Sequence, residues 1–132
     1  MRYHIAEANE IELAWGETHK GFAISLRRSG GDMNLGQLYQ QVCAGSARIL
    51  VAVDEGVKGA LVFRAETWDT GVKLRVLAMF ARDFRSWRHE AMDQLHSIKD
   101  RLGANAIVFE GRVGHERLFE NAKVLRHLYE VK

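Results

Sequence analysis

Three apolar runs, separated by two short turn signals and followed by one long amphipathic stretch, constrain this chain more than any other feature. The runs are Arg48–Val53 (RILVAV), Lys58–Trp68 (KGALVFRAETW) and Val72–Ala81 (VKLRVLAMFA). Asp54-Glu55-Gly56 and Asp69-Thr70-Gly71 lie between them and read as hairpin turns, so consecutive runs pair as antiparallel strands. Lys73 and Arg75 alternate with apolar neighbours, whereas Val76 to Ala81 is almost wholly apolar, the pattern of a strand covered on both faces. Ser86 is a good helix cap, and Trp87, Ala91, Leu95, Ile98 and Leu102 follow at three- and four-residue steps. Arg88, Glu90, Asp93, Lys99 and Asp100 take the other side, and Gly103 closes the helix. Ala106–Glu110 (AIVFE) then reads as a short buried strand. A strand–helix–strand connection makes its two strands parallel. The sheet is therefore expected to be mixed and mostly antiparallel, with helices on both faces.

The flanking segments fill in the order. Arg2 to Ala8 reads as a first strand. Glu10 to Arg28 reads as a helix with Ile11, Trp15, Phe22 and Leu26 on one side, its middle weakened by Gly16 and Gly21. Ser29-Gly30-Gly31-Asp32 is a stop and turn, after which Asn34 caps a second helix carrying Leu35, Leu38, Tyr39 and Val42, ended by Gly45. Gly114 to Ala122 reads as a short helix and Val124 to Val131 as a closing strand. The expectation is an α/β (α+β) chain in the order β-α-α-β-β-β-α-β-α-β. A length of 132 residues fits a single domain, 1–132.

Composition excludes some classes of function. The net charge of +2 neither requires nor forbids a nucleic-acid partner. No apolar run approaches bilayer length, and the MRYHIAEANE start carries no signal-peptide pattern, so no membrane partner is expected and the cytoplasm is the expected location. Cys43 is the single cysteine, so no intrachain disulfide forms; within LYQQVCAG it reads as a small buried hydrophobe.

The element order resembles the GNAT (N-acetyltransferase) fold over essentially the whole chain. The run RILVAVDEGVKGALVF resembles that family's strand meander. GRVGHERLFENAKV resembles a segment of small bacteriophage GNAT-like proteins, which implies a virion as an alternative location. The resemblance implies a loop of the form (Gln/Arg)-x-x-Gly-x-(Gly/Ala), whose backbone N–H groups wrap the pyrophosphate of acetyl-CoA. The matching residues here are Arg82-Asp83-Phe84-Arg85-Ser86-Trp87. Arg82 fits the first position, but Arg85 and Trp87 replace the small residues, and Asp83 adds a negative charge. The family's general-acid Tyr is matched by Phe119, which has no hydroxyl.

Two functional classes follow. The first is a non-catalytic GNAT-like structural or interaction protein, with no cofactor, whose partners are other proteins of an assembly such as a virion, or copies of itself. Its contact candidates are Trp68, at a hairpin tip, and the basic group Arg82, Arg85 and Arg88. The second is a divergent N-acetyltransferase using acetyl-CoA. Met79, Phe80, Ala81, Arg82, Arg85 and Ser86 would hold the cofactor, and His115, Glu66 or Glu110 would act as base. No metal site is expected: His89 and His96 share a helix face but stand two turns apart, too far to chelate together.

Overall fold

The computed structural model describes residues 1–28, 32–110, 119, 121–127 and 129–132. Five strands form one sheet in sequential order: β1 (Arg2–Ile5), β2 (Arg48–Val53), β3 (Val57–Trp68), β4 (Gly71–Ala81) and β5 (Ala106–Phe109). β1 to β4 are antiparallel neighbours, and β5 pairs in parallel with β4. The expected mixed sheet is therefore present. The expected short helix lies largely outside the described residues. The expected closing strand is a correction: the described residues of 124–131 are not in a strand, and Val124, Leu125, Tyr129 and Val131 are exposed. Their alternating apolar pattern is the kind a strand needs, but a strand also needs a partner edge, and they pair with none among the described residues.

One face of the sheet carries α1 (Ile11–Arg28), entered through a 3₁₀ turn at Ala8–Glu10, and α2 (Leu35–Cys43). Thr18, Phe22 and Leu26 of α1, four residues apart, are buried. Phe22 and Leu26, with Leu38 and Val42 of α2, pack on Ile49, Val51, Val62 and Ala78 of the sheet. α1 runs unbroken through both of its glycines. Gly16 faces open space, but a Cβ at Gly21 would stand 2.3 Å from the Phe80 ring, so Gly21 is the notch that seats Phe80. At the start of α2 the Asn34 side chain accepts from the Gln37 N–H at 2.8 Å, and the Gln37 side chain accepts from the Asn34 N–H at 2.9 Å. Because Leu38 and Val42 fix the buried face of α2, Cys43 turns outward and is exposed, contrary to the burial expected of it.

The opposite face carries α3 (Phe84–Arg101), with Leu95 and Ile98 on Leu50, Phe63, Leu74 and Val76. Its start departs from the expected cap at Ser86. The N-cap is Asp83, in the left-handed region at φ 52°, and Ser86 bonds backward: its Oγ–H and its N–H both donate to the Asp83 carbonyl, at 2.7 and 3.0 Å. Trp87 then leaves helical geometry (φ −131°, ψ 16°). Phe84 to Ser86 is thus one turn, kinked against the long helix behind it.

Candidate active site

The position of the site follows from the register of β4. Against β3, Val62 faces Ala78 and Phe63 faces Val76, so Leu77 is an extra residue, a β-bulge. A bulge bends its strand and ends regular pairing. Pairing of β4 with β5 runs from Lys73↔Ala106 to Val76↔Phe109 and stops at the bulge. Beyond it, Leu77 to Ala81 continue beside β3 alone among the described residues, which leaves a gap, the V, beside them past Phe109. The Arg82 N–H donates to Lys58 on β3 at 2.8 Å. Strand alternation therefore turns the Met79 and Ala81 N–H groups the other way, into the V. The Met79 N–H donates there to Ser25 Oγ of α1 at 3.1 Å.

The V opens into a cleft of about 370 Å³ between α3 and the sheet. Met79, Phe80 and Ala81, expected at the cofactor site, line it. Its walls are largely apolar; Tyr3, His96 and Lys99 are the ionisable side chains among the described residues that line it. Phe119 closes one side, its ring centroid 4.9 Å from that of Phe109 and 6.1 Å from that of Phe84. It serves as a wall, and it offers no proton.

The turn that would hold phosphates lies at the mouth. Asp83, Phe84, Arg85 and Ser86 line an open depression there. Arg82 and Arg85 are exposed and Arg88 is half-buried, and none of the three joins an ion pair among the described residues. The sequence suggests that Trp87 fills this cradle. Instead its indole lies back over the sheet. Its Nε1–H donates to the Arg82 carbonyl at 2.8 Å, and its ring lies on Gly59, where a Cβ would stand 2.8 Å from Cη2. Tyr3, Ala52, Gly59 and Ala81 are cross-strand neighbours in one row, and their small members make the trough that accepts the ring. Nothing local in the sequence announces this row, because its members come from four strands.

The carboxylates singled out as bases are both engaged. Glu66 accepts from Arg64 Nε at 2.8 Å and from Trp68 Nε1 at 3.0 Å, with Arg75 at 3.5 Å. Burial pushes its carboxyl up, but these hydrogen bonds and the two guanidinium charges outweigh it and hold the group below the usual carboxylate range. A carboxylate so held is a weak base. Glu110 pairs with Arg75. His115 lies outside the described residues. Trp68 is half-buried rather than projecting, folded back with Lys73 Nζ 5.7 Å from its ring centroid. Among the described residues no cluster of three or more His, Cys, Asp or Glu is placed to hold a metal. No described helix is long and apolar enough to cross a membrane.

No family model matches the chain, and no curated protein matches it in sequence. Solved structures do match in shape. A predicted acetyltransferase from Clostridium acetobutylicum, solved with acetyl-CoA, is 12% identical with a TM-score of 0.69, over 99% of this chain and 95% of that one. A ribosomal-protein-alanine N-acetyltransferase from Brucella melitensis is 14% identical with a TM-score of 0.66, over 100% of this chain and 99% of that one. An aminoglycoside acetyltransferase from an uncultured soil metagenomic sample, in complex with sisomicin, is 9% identical with a TM-score of 0.66, over 99% and 96%. The chain has the fold of GNAT acetyltransferases.

Proposed function

We propose that this chain binds a coenzyme A thioester in the V between β4 and β5 and transfers its acyl group to an amine. The observation that carries the reading is the bulge at Leu77, next to Val76, the last β4 residue paired with β5 among the described residues, with the cleft beside it. A groove dismantled for a purely structural role would be closed by pairing or filled by side chains; among the described residues this one is neither.

The residues present fit such a ligand. The pantetheine arm carries amides, and the V offers a strand edge unpaired among the described residues, with the Ala81 N–H turned toward it and the Met79 N–H already held by Ser25 Oγ. The pyrophosphate is an anion, and the depression at Asp83 to Ser86 has Arg82 and Arg85 beside it with no carboxylate paired to them among the described residues. Trp87 does not obstruct this turn. When bound, the thioester supplies an activated acyl group. Phe84, Phe109 and Phe119 keep that part of the cleft apolar and exclude water. Glu66 and Glu110, held by arginines, have structural partners, which leaves the acceptor's proton to His115 or to solvent.

The solved acetyltransferases that share the fold support this reading, including the one solved with acetyl-CoA. The competing reading, a non-catalytic assembly or virion component, rests on the replaced loop glycines, on Phe119 at the position of the family's general-acid Tyr, and on the resemblance of residues 111–124. Most of that segment lies outside the described residues, and the position of Trp87 removes one of the two replaced-glycine objections. Calorimetric titration with acetyl-CoA tests the proposal. Saturable binding is expected, weakened about tenfold or more in Arg85→Glu, where an anion-binding cation becomes an anion. No heat and no thermal shift at millimolar acetyl-CoA would overturn it.

A further inference from the structure

We infer that the outward face of α1 pairs with the same face of a second copy of this chain, the two helices running antiparallel about a two-fold axis. The inner side of α1 is already used. Phe22 and Leu26 pack on the sheet, Gly21 seats Phe80, and Ser25 Oγ accepts from the Met79 N–H. The opposite side carries Leu13, Glu17, Lys20, Ile24 and Arg27. These are alternately four and three residues apart, the spacing of a seam along one side of a helix. All five are exposed, Leu13 at 72% and Ile24 at 47%. Glu17, Lys20 and Arg27 join no ion pair among the described residues.

The order along the seam identifies the partner. It reads apolar, acid, base, apolar, base, with Glu10 of the preceding 3₁₀ turn ahead of it. Read backward with the charges exchanged, it matches itself. Two antiparallel copies therefore set Leu13 against the partner's Ile24, Glu17 against the partner's Lys20 and Glu10 against the partner's Arg27. The two-fold axis makes each contact occur twice. A parallel pairing would instead oppose Glu17 to Glu17 and Lys20 to Lys20. The helix dipole accounts for Glu12 in the first turn and for Arg27 and Arg28 in the last, because its effect fades within one turn of each end. It accounts neither for the order of Glu17 and Lys20 in mid-helix nor for two large apolar side chains left in water. Leu13 to Ile24 spans about 16 Å of helix. Contact over that length buries less than the roughly 1,200 Å² of a stable complex, so the dimer is weak and reversible, with a dissociation constant of about 10–100 µM. It stands or falls independently of the thioester site.

The test is sedimentation equilibrium of the full chain at concentrations spanning that range. The mass should rise from one chain toward two, and the dimer should weaken several-fold at about 1 M salt, where the screening length is only about 3 Å. Leu13→Ser, Glu17→Lys and Lys20→Glu alter exposed side chains and leave the fold intact. Each should weaken the dimer about tenfold or more, the two reversals by placing like charges face to face. Glu17→Lys and Lys20→Glu together in one chain should restore it. Mixing the two single-reversal chains should give a heterodimer where neither chain dimerises alone. One chain mass at every concentration would overturn the inference. A dimer indifferent to Leu13→Ser and to both reversals would place the contact elsewhere and overturn it too. Reversals that weaken the dimer without recovery in the double exchange would overturn the antiparallel register.

Discussion

Replacing Gly59 with Ala tests whether the indole of Trp87 lies on β3, as the open phosphate turn requires. The added Cβ would stand 2.8 Å from the Phe80 carbonyl oxygen, 2.8 Å from Trp87 Cη2 and 3.2 Å from Cζ2. Ordinary contact is about 3.5–4.0 Å, so each of these is short by several tenths of an ångström or more. Neither neighbour yields easily. The Phe80 carbonyl belongs to the β3–β4 ladder, and the indole is anchored by its hydrogen bond to Arg82 and flanked by Tyr3, with ring centroids 6.4 Å apart. The expected loss is about 1–3 kcal/mol, the range for overpacking a filled site. Urea unfolding of the parent, Gly59→Ala, Trp87→Phe and the double variant gives the coupling. Removing the indole's outer ring relieves only the Trp87 share of the clash, so an interaction energy of about 0.5 kcal/mol or more is expected between the two positions. A Gly59→Ala chain within about 0.3 kcal/mol of the parent, or additive variants, would refute the placement of the indole and reopen the reading in which Trp87 blocks the cradle.

Ser25→Ala removes the acceptor of the Met79 N–H in the V. Hydrogen exchange at that amide should quicken by roughly fivefold, for a net bond of about 1 kcal/mol; unchanged exchange would mean the amide is protected by something else. Glu66→Gln should cost about 1–3 kcal/mol at neutral pH by leaving Arg64 and Arg75 short of a partner. Because the folded Glu66 carboxyl sits below its ordinary value, its contribution is complete above the unfolded pKa of about 4.3 and is lost as pH falls through the lower folded value. The stability difference between parent and Glu66→Gln should therefore shrink below about pH 4 in thermal unfolding at a series of pH values. A constant difference down to pH 2 would contradict it.

Much of the architecture is legible in the sequence because periodicity is a local signal. The hairpin turns at Asp54–Gly56 and Asp69–Gly71, the Asn34 cap and the amphipathic face of α3 each depend on neighbours within a few residues, and each forms where it is expected. What escapes is non-local. Gly21 reads as a weak point in a helix, and its purpose appears only when Phe80 of β4 docks on it. The bulge at Leu77 lies in a uniformly apolar run, where no alternation exists to slip. The direction of Trp87 is decided by a row of small residues contributed by separate strands. The candidate site shows the same division. Met79 to Ala81 are readable as the strand end that lines a groove, but Ser25 and Tyr3 are not readable as parts of it, since they reach the V and the cleft from α1 and β1. Glu66 and Glu110 read as possible bases on residue type alone; their arginine partners become visible only when β3, β4 and β5 lie side by side.

The measurement that tests the central claim most directly is a map of backbone amide shifts during titration with acetyl-CoA. The largest changes should fall at Met79, Phe80 and Ala81 along the open edge of β4 and at Asp83 to Ser86 in the turn, with small effects on α2 and the β2–β3 hairpin tip. Saturating shifts confined to α1 and α2, or no shifts at all, would contradict the V between β4 and β5 as the thioester site.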